Sequence, residues 1–146
     1  MKTCIFGGTF DPPHIGHLLI AQTIIESENF ERLIFVPANI SPAKKGKIIS
    51  SSKKRLDMLN LALTSNDNFE ISDFEINKGD ISYTVDTVVE FAKNLNLDKK
   101  DLYFLMGSDT LREFHKWKDP EKLWAYVILS LLSDQDLLQA IYHNGY

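Results

Sequence analysis

Along the chain, short runs rich in β-branched and aromatic residues alternate with longer stretches whose apolar positions recur every three to four residues. Spacing of the second kind builds one face of a helix. An unbroken apolar run between turn signals suits a strand covered on both sides. Strands are predicted at 2–6, 32–37 (RLIFVP), 69–76 (FEISDFEI), 102–106 (LYFLM) and 126–132 (YVILSLL), and helices at 15–28, 52–64, 83–95, 109–115, 120–125 and 134–142. Ser51 or Ser52 can cap the helix KKRLDMLNLAL, and Asp119 precedes Pro120 at a first helical position, where a missing N–H costs nothing. Strand and helix taken in turn are the mark of βαβ units. The pattern therefore predicts an α/β fold, doubly wound, with a mostly parallel sheet and helices on both faces.

At 146 residues the chain fits a single domain, 1–146, able to bury its own core; no repeat, low-complexity tract or linker divides it. With 44% hydrophobic and 25% charged residues it has an ordinary globular composition, and its net charge of −4 argues against a non-specific nucleic-acid binder. A small anion needs only a local basic cluster. Cys4 is the one cysteine, so an internal disulfide and a thiolate zinc cage are both excluded. It reads as a buried strand residue in a reducing compartment. The N-terminal apolar run is too short for a signal peptide, and LWAYVILSLL is too short to span a bilayer. The expectation is a cytoplasmic protein with no membrane partner.

GGTFDPPHIGH, residues 7–17, falls between the first predicted strand and the first helix. In a parallel sheet that junction is where ligands bind. Gly7 and Gly8 allow backbone to approach a ligand, and the helix N-terminus offers unpaired N–H groups and partial positive charge, so an anion belongs there. His14 and His17 stand three apart on the first helical turn, with Gly16 clearing space for both rings to point to one side. A metal site lacks its third ligand, because the helix face LLIAQTIIES offers none until Glu26. Neither a Walker loop nor a GxGxxG fingerprint is present. A plain Pro-Gly turn carrying two surface histidines is the bland alternative.

GGTFDPPHIGH resembles the GxFDPxHxGH motif of the HxGH nucleotidyltransferases, a superfamily of Rossmann-like fold that moves a nucleotidyl group from ATP to a phosphate acceptor. ISYTVDTV (81–88) and MGSDTLREFHKW (106–117) resemble the SYTxDT and GxDxLxxxxxW segments of bacterial nicotinate-mononucleotide adenylyltransferases. Arg55 and Met58 fit that family's RxxM helix, and these matches together run from residue 2 to about 124. The resemblance implies ATP and nicotinate mononucleotide as substrates, Mg²⁺ held through the ATP phosphates, and no protein metal cage. It implies His14 and His17 as the catalytic pair, donating to the triphosphate, and Gly7, Gly8, Thr9, Phe10, Gly16, Lys44, Lys45, Gly107 and Asp109 as the ATP site. Asp11, Arg55, Thr84, Trp117 and Lys118 fall to the acceptor site. Physically, Trp117 offers a π-face to a pyridine ring, and Thr84 with nearby N–H groups can take a carboxylate or carboxamide. Tyr83 and Asp86 read as structural, and His115 and His143 as surface residues.

The resemblance stops near Ala125. The family's closing ISSTxIR segment has no counterpart, since ISSSKKR at 49–55 precedes the RxxM helix, and no Lys or Arg follows Lys122. Losing a bidentate arginine weakens a triphosphate site. The expectation is a truncated or frameshifted chain, or a site completed by another subunit, with the apolar C-terminal stretch, where exposed, forming a homo-oligomer interface or promoting aggregation. A nucleotide-binding remnant without useful catalysis stays open, as do a phosphopantetheine adenylyltransferase-like enzyme and an interaction module.

Overall fold

Along Thr3–Gly8 (β1), neighbouring side chains serve opposite faces: Cys4 packs into one core cluster and Ile5 into another. Arg32–Pro37 (β2) divides the same way, with Leu33 and Phe35 on the first side and Ile34 and Val36 on the second. Both faces are dry, which is why these strands read as continuous apolar runs. These positions come from a computed structural model of the chain, which describes residues 1–107, 114–126 and 128–132.

Helices Ile15–Glu28 (α1) and Ser52–Leu63 (α2) supply Ala21, Ile24, Ile25, Leu59 and Leu63 to the first cluster. Thr84–Asn94 (α4) and Pro120–Tyr126 (α5) supply Val85, Val88, Phe91 and Leu123 to the second. With Phe69–Ile71 (β3), Leu102–Gly107 (β4) and Ile128–Leu132 (β5), the sheet has five strands in the order β3-β2-β1-β4-β5, every pair parallel. This is the doubly wound α/β fold expected from the sequence. The winding direction reverses at β1, with β2 on one side and β4 on the other, so the crevice for a ligand opens beyond the carboxyl ends of β1 and β4.

The predicted strand 69–76 is a correction. It ends at Ile71, and Phe74–Lys78 (α3) is a short helix. Ser72 and Asp73 interrupt the apolar run: the Ser72 hydroxyl accepts from Phe74 N at 3.2 Å, and Asn77 N donates to the Asp73 carbonyl at 2.9 Å. Short polar side chains that bind nearby backbone start helices and stop strands. Within the predicted helix 109–115, residues 114 and 115 belong to a 3₁₀ turn, Phe114–Lys116, and the rest lie outside the described residues, as does 134–142. Ser51 is the cap of α2, accepting from Lys54 N at 3.2 Å. Cys4 is fully buried, and burial pushes its thiol up to about 12, so it is inert at neutral pH. Among the described residues no helix is long and apolar enough to cross a membrane.

Candidate active site

His14 is the N-cap of α1, in extended conformation, and His17 is the third residue of the helix. Each ring caps the other's backbone: His14 N donates to His17 Nδ1 at 3.1 Å, and His17 N donates to His14 Nδ1 at 3.4 Å. The two imidazoles stack with centroids 3.7 Å apart and planes 16° from parallel. This is a capping box built from two histidines in place of a hydroxyl and a carboxylate. An accepting Nδ1 puts the ring proton on Nε2, so both rings present N–H donors outward from the helix start. Gly16 is what permits the stack, because a Cβ there would lie 2.9 Å from His14 Cε1 and Nδ1.

Phe10 sits under His17, with ring centroids 5.0 Å apart, and Phe6 lies at 6.0 Å. This half-buried aromatic surrounding, and then the neighbouring His14, bring the His17 imidazole down to about 4. It is therefore neutral at physiological pH. Phe10 itself is buried with φ of 50°, turning the chain sharply out of β1. A Cβ on Gly8 would press on its ring at 3.1 Å.

Beside this loop lies a cavity of about 610 Å³, walled by the ends of β1 and β4, the start of α4 and the segment 116–118. Gly7, Gly8, Thr84, Trp117 and Lys118 line it, so five of the residues expected at the site meet there. Trp117 stands edge-on to Phe104, centroids 5.9 Å apart, and leans on Phe114 at 5.5 Å. Lys118 Nζ is 4.8 Å from the Tyr83 ring centroid and 3.3 Å from Asp86 Oδ2, which also binds Lys78 Nζ at 2.8 Å. Partial burial raises the Asp86 carboxyl, but the two lysines outweigh it and leave the carboxyl below its ordinary value.

His14, His17, Thr9, Phe10, Asp11, Gly16, Lys44, Lys45 and Arg55 do not line the cavity. Past Gly8, the segment TFDPPHIGH is thus a neighbour of the pocket rather than its wall. Lys44 ends the 3₁₀ turn Pro42–Lys44 and Lys45 follows it, both exposed, while Ser41 and Pro42 of the same loop reach the cavity. That loop is laced to the chain before α4 by a bridge between Ile40 and Ile81 and by Asn39 N donating to Ser82 Oγ at 2.9 Å. Gly107 closes β4; Asp109 lies outside the described residues.

The structure gives two of the acceptor-site expectations, Asp11 and Arg55, other work. The exposed Asp11 carboxylate accepts from Ser50 N at 2.8 Å, and that backbone bond first of all holds it below the usual carboxylate range. Arg55 is only 1% exposed, on the buried face of α2. Its Nε donates to the Ser50 carbonyl at 3.1 Å and Nη1 to the carbonyls of Thr9 (3.1 Å) and Ala38 (2.6 Å). Nη2 donates to the Asn39 carbonyl and Ser52 Oγ, both at 3.4 Å. A guanidinium has five N–H groups, and all are engaged, so none is left for a ligand. Arg55 pins the two loops that follow β1 and β2.

Glu75, which no motif marks, and Tyr83, expected to be structural, both line the cavity. Glu75 was hidden inside the mistaken strand, and Tyr83 stands just before α4 as its N-cap. Burial pushes the Glu75 carboxyl up, with hydrogen bonds from Thr87 and Ser82 and the charge of Lys78 opposing.

Residues 5–134 match the cytidylyltransferase-like family model. A curated relative from Aquifex aeolicus, a probable nicotinate-nucleotide adenylyltransferase, is 37% identical over 137 residues, covering 94% of this chain and 80% of the relative. The chain belongs to the nicotinate-nucleotide adenylyltransferase family. A relative of the same description from Opitutus terrae is 41% identical over 123 residues, but this chain spans only 62% of its length. A solved structure, the Plasmodium falciparum nicotinic acid mononucleotide adenylyltransferase complexed with NaAD, shares the fold, with a TM-score of 0.74 at 19% identity over 94% of this chain and 70% of that one.

The match to the cytidylyltransferase-like model runs to residue 134, past Ala125. Among the described residues no three His, Cys, Asp or Glu side chains converge as a metal site. Mg²⁺ prefers oxygen ligands, whereas the face of the β1–α1 loop offers imidazole and backbone N–H donors. These residues do not fit a protein-held Mg²⁺.

Proposed function

We propose that this chain transfers the adenylyl group of ATP to nicotinate mononucleotide, forming nicotinate adenine dinucleotide and releasing pyrophosphate, as a step of NAD biosynthesis in the cytoplasm. The observation that carries the reading is the outward-facing imidazole pair at the head of α1, beside a cavity lined by Trp117 and Thr84. In the reaction a phosphate oxygen of the mononucleotide attacks the α-phosphorus in line. The bond from α-phosphorus to the bridging oxygen breaks, and pyrophosphate leaves with the negative charge. No side-chain nucleophile is needed, so the protein contributes position and charge stabilisation.

His14 and His17 donate from Nε2 to the triphosphate, joined by the N-terminus of α1 and by Lys44 or Lys45 from the neighbouring loop. The donors keep their protons throughout and act as fixed dipoles. Any Mg²⁺ would arrive with the phosphates and add positive charge there. Trp117 takes the pyridine ring and Thr84 its carboxylate, with Lys118 adding positive charge at the cavity.

The test is pyrophosphate release from ATP, Mg²⁺ and nicotinate mononucleotide. Turnover that falls by a factor of about 100 or more in His17→Ala, on the scale of an oxyanion-donor deletion, supports the assignment. Trp117→Ala is expected to weaken the mononucleotide and leave ATP affinity nearly unchanged. ATP binding without pyrophosphate from the intact chain would instead favour a nucleotide-binding remnant.

A further inference from the structure

Among the described residues Glu75 is the buried carboxylate, 8% exposed, and the transfer chemistry gives it no task. It lines the cavity together with Ser82, Tyr83 and Thr84. Thr87 Oγ1, near the start of α4, donates to Glu75 Oε1 at 2.6 Å. Ser82, beside Glu75 in the cavity wall, accepts at Oγ from Asn39 N at 2.9 Å. Meanwhile the cap of α4, Tyr83, makes no side-chain hydrogen bond to the helix start. The carboxylate therefore ties α3 to the start of α4 just past the Tyr83–Thr84 pair, in place of an ordinary cap.

We propose that Glu75 is a positioning residue for the acceptor pocket, fixing the start of α4 so that Tyr83 and Thr84 meet the pyridine end of the acceptor. The requirement for a carboxylate follows from hydrogen-bond bookkeeping. The Thr87 hydroxyl donates to it, and either oxygen of an acceptor-only charged group can take that bond, whereas an amide is a neutral, weaker acceptor and can turn its N–H to the hydroxyl. This inference rests on the proposed function, since it needs a pyridine nucleotide in the cavity.

The experiment is calorimetric binding of nicotinate mononucleotide and, separately, of ATP to the intact chain and to the Glu75→Gln, Thr87→Val and doubly substituted variants. Each single variant is expected to weaken the mononucleotide roughly five- to tenfold, the scale of one ordinary hydrogen bond, with ATP affinity held within about twofold. The double variant is expected to be no weaker than the worse single one, because both changes break the same clamp. Equal weakening of both ligands, or no change in either, overturns the inference while leaving the proposed function standing. An intact chain that binds ATP but no mononucleotide defeats the proposed function and this inference with it. If Glu75→Gln does not fold, Thr87→Val, which keeps the carboxylate, decides by the same criterion.

Discussion

Replacing Arg55 by Ala separates a ligand residue from a structural one. The guanidinium makes five hydrogen bonds, of which the 2.6 Å bond to the Ala38 carbonyl is buried and the others are at partly buried positions. Stripping the buried carbonyl of its partner costs about 1–3 kcal/mol. Each of the two bonds at 3.1 Å adds about 0.5–1 kcal/mol, because water can replace the donor, and the pair at 3.4 Å counts for little. The expected loss is about 2–5 kcal/mol, which at roughly 3 °C per kcal/mol for a chain of this size lowers Tm by roughly 6–15 °C. Arg55→Lys recovers less than half, since a single ammonium cannot span acceptors arranged around a planar fork. Thermal and urea denaturation of both variants measure this directly. A Tm within about 2 °C of the parent, which corresponds to about 1 kcal/mol or less, combined with lost nucleotide affinity, would refute the reasoning and return Arg55 to the binding site.

Gly16→Ala places a methyl 2.9 Å from the His14 ring, so the ring must swing out of the stack; turnover is expected to fall severalfold or more, with a stability loss of only about 1 kcal/mol for the broken cap. His17 titrates near 4 in the folded chain against 6.5 in its ordinary state, so between those pH values the unfolded chain binds more protons and stability falls as pH is lowered from 6.5 toward 4. A His17 ring resonance that titrates near 6.5 by NMR would contradict this. Asp86→Asn frees Lys78 and Lys118; because these groups are about a third exposed or more, the stability change is expected to stay under about 1 kcal/mol, while mononucleotide affinity, read by calorimetry at low salt, falls as Lys118 loses its anchor.

The fold was legible because burial on both faces writes itself as apolar runs in β1, β2 and β4, and helix starts such as Ser51 announce themselves by hydroxyls. FEISDFEI misled because Phe69, Ile71, Phe74 and Ile76 continue an apolar series across a Ser-Asp pair whose backbone bonding no hydrophobic pattern records. The paired histidines and the glycine between them stand out because their chemistry and spacing are local, whereas Trp117 and Thr84 stand out only through the family resemblance of their segments. Arg55 was misplaced for the opposite reason. A basic residue on a helix looks the same in sequence whether it faces a phosphate or five protein acceptors, and those acceptors lie as far away as Thr9. Glu75 is invisible in the sequence because its partner Thr87, twelve positions on, is brought to it only by the fold.

The placement of β1 between β2 and β4 also divides the labour of the chain by position. The imidazole pair belongs to the first crossover, while Tyr83, Thr84, Trp117 and Lys118 come from chain beyond residue 80, on the opposite flank of the central strand. On the proposed function, exchange of one acceptor for another centres on the chain from Phe74 onward, and the opening loop can be inherited intact. Recombination between Ile71 and Phe74, which keeps Glu75 with Thr87 and Lys78 with Asp86, is the natural seam for grafting a new acceptor specificity onto an old adenylyl-handling loop.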